Sequence, residues 1–313
     1  MERLEYIGAF AAAALSLIRV SKPFNPMLRE TYELEREDLG FRFVAEQVSE
    51  NPPTSAFHCT GAGYDFHGQI SPFVKMSMTA KITVDPKASF TLRLIGHKEE
   101  YKWQSINVIV HNCVRAIFFM LLMLKYRDAK TSGAEYMITG QVVDGSKAVC
   151  RIYGNWSSYL ATCPPASFSD CVFEQRFRSH CDGAFPSSRV LYTDSKKLWI
   201  HYKRPNNASQ YYGFTFFAMS ANHLISPRSA LLPRTDTRLR PDVRLMENGK
   251  FEQSLTETKR LQARTKGNEI TVVSNNPKWF TEYQETGSST IFKYNGLYWK
   301  RSFEGCADIF GLP

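Results

Sequence analysis

Between Phe41 and Val110 the chain repeats one local pattern, and that pattern sets the class of fold. The runs FRFVAEQVS (41–49), FHGQISPFVKMSMTAKITV (66–84), SFTLRLIGH (89–97) and YKWQSINVIV (101–110) are alternating or rich in β-branched residues. Asn-Pro-Pro, Asp-Pro-Lys and His-Lys-Glu-Glu breaks separate them, as turns separate successive antiparallel strands. YMITGQVV (136–143), KAVCRIYGNWSSYL (147–160), KLWIHY (197–202) and QYYGFTFFAMSA (210–221) continue the pattern. Sheets with this many meandering strands hide their edges by closing or nearly closing, and a large barrel leaves an interior able to hold a ligand. An apolar ligand is the default expectation. The aromatic fraction of 13% suits a tunnel lining and a plain core alike.

The flanks differ from this body. Residues 2 to 20, rich in Ala and Leu, read as a helix that Pro23 and Pro26 stop. The run IGAFAAAALSLI inside it follows an acidic leader, MERLEY, whereas a secretory signal needs a basic one, so a buried helix is expected. A second apolar run, Cys113 to Leu124, is too short to cross a bilayer and contains Arg115; it reads as a core helix or a buried strand. Residues 162–189, rich in Ser and Pro, read as a surface loop. From Pro233 to Gly267 the chain is charged and helically spaced, the pattern of a solvated helix face.

With 313 residues and 43% hydrophobic content, the chain can fill a sizeable core as one large domain or two ordinary ones. Its formal charge of +9 favours anionic partners, either nucleic acid or the acidic cytoplasmic face of a membrane. Nucleic-acid binding needs basic residues interleaved with aromatics; YKW at Tyr101 and HYKR at His201 approach this, but strand-borne lysines usually face solvent, and no nucleic acid is expected. Seven scattered cysteines with no CxxC pair read as reduced thiols. Cys163, Cys171, His180 and Cys181 match no common zinc spacing, so no metal is expected. A GxSxG elbow, an HExxH helix and a P-loop are all missing, and GAG at Gly61 lacks the rest of a dinucleotide fingerprint. No catalytic residue is therefore assigned, and the reading is of a protein that is not an enzyme.

Six segments then carry a resemblance. KPFNPMLRETYE from Lys22, EQVSENPP from Glu46, YKW…VHN from Tyr101 to Asn112, LPRTDTRLRPDVRLMENGK from Leu232, PKWF from Pro277 and YNGLYWKR…CADIFGLP at the end together resemble the lipid-binding domain of the oxysterol-binding-protein family, in that family's order. The resemblance implies an α+β, mainly β fold: a large nearly closed antiparallel β-barrel enclosing a hydrophobic tunnel, with an N-terminal helix (1–22), the barrel proper (23–220) and a C-terminal helical subdomain (221–313). It implies no cofactor, a sterol or phospholipid as cargo, exchange with phosphatidylinositol 4-phosphate, and a monomer that is cytoplasmic and peripherally attached to anionic intracellular membranes. No pleckstrin-homology module, ankyrin array or FFAT-type motif is visible, so membrane contact would fall to the basic surface, at about 1 kcal/mol or less per nearby Lys or Arg.

In the family the turn usually reads EQVSHHPP and stands at the tunnel mouth, its two imidazoles meeting the inositol phosphate beside the Lys and Asn of KPFNP. Lys22 and Asn25 keep those positions here, whereas Glu50 and Asn51 replace the histidines. A phosphate monoester carries about −1.5 to −2 charges and needs donors. Asn51 can donate, but ionised Glu50 only accepts, and at ~4 Å its repulsion of one unit charge is roughly 4 kcal/mol at an effective dielectric of about 20. One neighbouring lysine offsets about that much, leaving little net attraction. Family members also carry Lys, Glu and Arg at four-residue steps on the helix after ENG, on one face; the matching positions here are Thr258, Gln262 and Lys266. Lys22, Asn25, Glu50, Asn51, Gln262 and Lys266 are thus the expected headgroup residues, with phosphoinositide recognition weakened, unless Glu50 turns harmlessly to solvent. The chain begins near the helix that follows the family's lid, and residues 113–135 are shorter than the family pattern, through a lost hairpin or a mis-spliced gene. A non-transporting scaffold or membrane-contact adaptor built on the same fold is the alternative reading.

Overall fold

The computed structural model describes residues 2–14, 24–76, 82–85, 87–104, 108–110, 137–144, 147–155, 158–179, 192–202, 204–211, 213–224, 231–266, 276–284 and 290–312. In chain order the elements are α1 (Glu2–Ala13), β1 (Thr31–Arg36), β2 (Phe41–Glu50), β3 (Pro53–Gly61), β4 (Tyr64–Ile70), β5 (Phe73–Met76), β6 (Ile82–Asp85), β7 (Ser89–Leu94), β8 (Glu99–Gln104), β9 (Val108–Val110), β10 (Met137–Asp144), β11 (Lys147–Asn155), β12 (Tyr159–Cys163), α2 (Asp170–Ser179), β13 (Lys196–Ile200), α3 (Phe216–Ala221), α4 (Pro241–Glu247), α5 (Phe251–Lys266), β14 (Phe280–Gln284) and β15 (Thr290–Tyr294). The chain divides into two compact units, one of residues 1–21, 74–86 and 105–216, the other of 22–73, 87–104 and 217–313. Among the described residues, no helix is long and apolar enough to cross a membrane.

In the first unit an antiparallel sheet of order β10-β11-β12-β13 carries α1, and a smaller sheet has the order β5-β6-β9. Small residues let α1 lie close. Ala9 and Ala12 are buried, Ala12 packs on Ile138 and Leu160, and a Cβ at Gly8 would stand 2.7 Å from the tip of Ile152. The expected buried helix is therefore buried along one side only, with Tyr6 and Phe10 exposed. Tyr153, Tyr159, Ala161, Cys163 and Phe173 form the core on which α2 sits. That helix falls inside the stretch expected to be a loop: Phe173 is its apolar anchor, and the Asp170 carboxylate reaches Arg151 at 2.7 Å.

The second unit is a six-stranded antiparallel sheet of order β1-β2-β3-β4-β7-β8, joined by the β14–β15 hairpin and by α3, α4 and α5. Period-2 alternation assigns each strand's residues to two faces. On one face Val44, Val48 and Ala56 pack against Trp279, Phe280 and Tyr298. Asp65 lies on the same face between His58 (2.5 Å) and His67 (2.8 Å), which hold its carboxyl well below the usual range. α5 buries Leu261 against Ile309 and Phe310. Residues 210–221, expected as a strand, instead form a short 3-10 turn and α3, which caps β1 through a Tyr32 hydroxyl donating to the Ala221 carbonyl at 2.8 Å. Among the described residues no ladder joins the β1 and β8 edges of the six-stranded sheet. The run 113–124 lies outside the described residues.

Candidate functional site

The other face of the six-stranded sheet is lined with aromatic rings. Register pairs Phe43 with Cys59, Phe57 with Gly68, Phe66 with Leu92 and Phe90 with Trp103, which puts all these side chains on one side together with Tyr32 and Leu34. Ring centroids follow one another across the strands: Tyr32 to Phe43 at 6.3 Å, Phe43 to Phe57 at 5.7 Å, Phe57 to Phe66 at 5.1 Å, and Phe66 to Trp103 at 5.7 Å. Gly68 makes this continuous. A Cβ there would meet the Phe57 and Phe90 rings at 3.0 Å each and the Ser89 carbonyl at 2.4 Å, so only a glycine lets the two rings close over the strand. The rings are half-buried rather than sealed in a core. The result is a broad apolar surface across six strands, able to lie along a flat or elongated apolar molecule.

A buried ionic frame holds the segment that leads into this sheet. Arg240, 4% exposed, donates from Nε and Nη2 to the two Asp242 oxygens at 2.8 and 3.0 Å, and from Nη1 to Glu30 at 2.8 Å and to the Asn25 carbonyl at 2.7 Å. Burial pushes the Glu30 carboxyl up, against the pull of Arg240. Burial likewise opposes the Arg240 charge, but its two carboxylate partners more than compensate. The Thr258 hydroxyl of α5 donates to Asp242 at 3.0 Å. One guanidinium thus ties the KPFNP segment, α4 and α5 together.

That frame brings Asn25 and Thr258 into one network, by the backbone of the first and the hydroxyl of the second. The Asn25 side chain is exposed, and Gln262 is exposed on α5. Lys266 is the last residue of that helix. Lys22 lies outside the described residues. Glu50 ends β2 and pairs with Pro53, leaving Asn51 and Pro52 as a two-residue turn; both Glu50 and Asn51 are exposed. Among the described residues, no hydrogen bond or ion pair joins Glu50 or Asn51 to Asn25 or Gln262. Neither the aromatic face nor Arg240 and Asp242 stands out in the sequence, although LRPD lies in the segment 232–250 and the rings recur at alternate strand positions.

Upstream of that turn, Glu46 is buried and accepts from the backbone N–H groups of Lys278 and Trp279, both at 3.0 Å. Arg29, Glu46, Lys278, Trp279, Glu304 and Cys306 border a cavity of about 370 Å³. Burial pushes the Glu46 carboxyl from 4.5 up to about 7. A raised folded-state pKa gives stability that is complete below about 4.5 and is lost as pH rises through about 7. The loss is on the order of 3 kcal/mol. Urea midpoints are expected to fall between pH 5 and pH 8, and Glu46→Gln to shrink the fall without abolishing it, because Glu30 and Asp236 are raised in the same sense. Asp65, depressed instead, acts only at lower pH.

Against known proteins, a family model described as oxysterol-binding protein matches residues 1–120 and 119–303. The chain belongs to the oxysterol-binding protein family. Human oxysterol-binding protein-related protein 2 is 33% identical over 355 residues, taking in 99% of this chain and 74% of that protein. Oxysterol-binding protein-related protein 1 of Rattus norvegicus is 32% identical over 352 residues, and there the chain spans only 37% of the relative's length. The solved Osh1 ORD domain in complex with ergosterol has a TM-score of 0.67 at 22% identity, covering 96% of this chain and 75% of that one. The Osh3 ORD in complex with PI(4)P from Saccharomyces cerevisiae gives 0.63 at 22% identity, covering 94% and 77%. These two likenesses are of fold. Asn25, Glu30, Arg240 and Asp242 of the ionic frame, and Glu46, all lie within the residues that the family model matches.

Proposed function

We propose that the chain binds one sterol or phospholipid molecule in a hydrophobic tunnel of a nearly closed barrel and transfers it between intracellular membranes, acting as a monomer in the cytoplasm. The observation that carries this reading is the aromatic face from Tyr32 to Trp103, which offers apolar area and no row of hydrogen-bonding groups. The sterols and the phosphoinositide named with the Osh domains support the cargo class. Phosphatidylinositol 4-phosphate is recognised weakly. Glu50, exposed at its turn, supplies no donor, and Thr258 gives its hydroxyl to Asp242, which leaves Lys22, Asn25, Asn51, Gln262 and Lys266 to supply donors.

Native mass spectrometry of the chain expressed in a sterol-containing host tests the reading. A single co-purifying sterol or phospholipid is expected, and in liposome extraction the sterol is expected to be removed while phosphatidylinositol 4-phosphate stays behind. Stoichiometric uptake of that phosphoinositide would overturn the weakened-headgroup part. A folded chain with no lipid would instead support the non-transporting scaffold.

A further inference from the structure

The outer face of α5 is not that of an ordinary solvated helix. Phe251 and Leu255, one turn apart, are 67% and 54% exposed. The adjoining face, about a quarter-turn round the helix, carries Ser254 and Leu261, both buried, and Thr258 bonded to Asp242. Continuing at 3.6 residues per turn, the outer stripe passes through exposed Lys259 and exposed Gln262 to position 266. Lys250 is exposed just before the helix, and Glu252 is the acid at the margin of this face. Glu257 is drawn away to Arg260. We infer that this stripe docks on the surface of an anionic bilayer, with Phe251 and Leu255 entering the acyl boundary and Lys250 and Lys259 meeting lipid phosphates.

The inference rests on the lipid-carrier reading and adds where such a carrier touches its membrane. Two observations choose a bilayer over a protein partner. Even if buried completely, one Phe and one Leu supply only a few hundred Å², well short of the ~800 Å² per side that a stable protein interface uses. The flanking lysines and the formal charge of +9 complement a negative surface. A short apolar wedge flanked by cations is the chemistry of interfacial helices, where insertion and headgroup attraction act together.

Flotation of the full chain with phosphatidylcholine vesicles, with and without phosphatidylserine and at low and high salt, tests the inference. Binding is expected only with phosphatidylserine and is expected to weaken with salt. Phe251→Ser with Leu255→Ser is expected to lower it about tenfold or more, and Lys259→Glu to lower it further while thermal melting stays unchanged. Equal binding by the variants would overturn the inference, as would a concentration-dependent dimer that the double serine variant abolishes in a chain that ignores vesicles. Lipid content from native mass spectrometry separates the two readings. A lipid-free chain that still needs Phe251 and Leu255 for flotation leaves the docking stripe standing and removes the carrier, whereas a lipid-loaded chain indifferent to both residues does the reverse.

Discussion

Replacing Arg240 with methionine is expected to cost about 3–5 kcal/mol of folding stability, much of what a domain of this size has to lose. The size of the effect follows from what stays behind. Glu30 and Asp242 are 7% and 0% exposed, and without the guanidinium each would keep an uncompensated carboxylate in a low-dielectric site. The Asn25 carbonyl would lose its donor as well. Methionine fills most of the volume, so the loss reports charge and hydrogen bonding rather than a cavity. Arg240→Lys should recover only part of it, because an ammonium cannot span both Asp242 oxygens while also reaching Glu30. Equilibrium urea unfolding measures the loss, and amide exchange should show the segment around Asn25 losing protection first. A loss below about 1 kcal/mol would mean that the network is an exposed, weakly contributing ion pair, contrary to the burial seen here.

What the sequence made legible, and what it did not, divides along local and distant causes. β2, β7 and β8 were readable because their pattern is local: Phe43, Phe90 and Trp103 recur on one side, with polar residues between in β7 and β8. β1 was hidden by its charges. Glu33 reads as a solvent-facing residue, yet it is 7% exposed because the Tyr298 hydroxyl donates to it at 2.7 Å from 265 residues away. α3 was misread as a strand because FFAMSA satisfies either period over six residues, and the Tyr32 bond that fixes its end lies outside the segment. The helical position of Thr258 was readable, but that Asp242 claims its hydroxyl was not. Glu50 drew attention by its place in a motif. Glu46, four residues earlier, is the carboxylate whose environment is unusual, and only the backbone N–H groups of Lys278 and Trp279 reveal it.

Phe66→Asp is expected to abolish lipid uptake while leaving the chain folded. Phe66 stands among Phe57, Phe90 and Trp103, with centroids at 5.1, 6.3 and 5.7 Å, so a carboxylate there faces the middle of the apolar surface rather than its rim. An aspartate against hydrocarbon costs about 2.5–3.5 kcal/mol by membrane-insertion scales, which is roughly a hundredfold in occupancy. Without lipid the cost is smaller, because the rings are half-buried and water can reach the new carboxylate. The contrast between the two states is the useful part. Phe66→Leu keeps the surface apolar and should retain most uptake, with the lost ring contacts worth about 1 kcal/mol. Sterol extraction from liposomes by the three proteins, paired with their melting temperatures, reads both effects at once. If the aspartate variant extracts sterol as the native chain does, the aromatic face is ordinary packing and the cargo, if there is one, lies elsewhere. If it melts far below the leucine variant before any lipid is added, the face is core and the apolar surface was never open to a ligand.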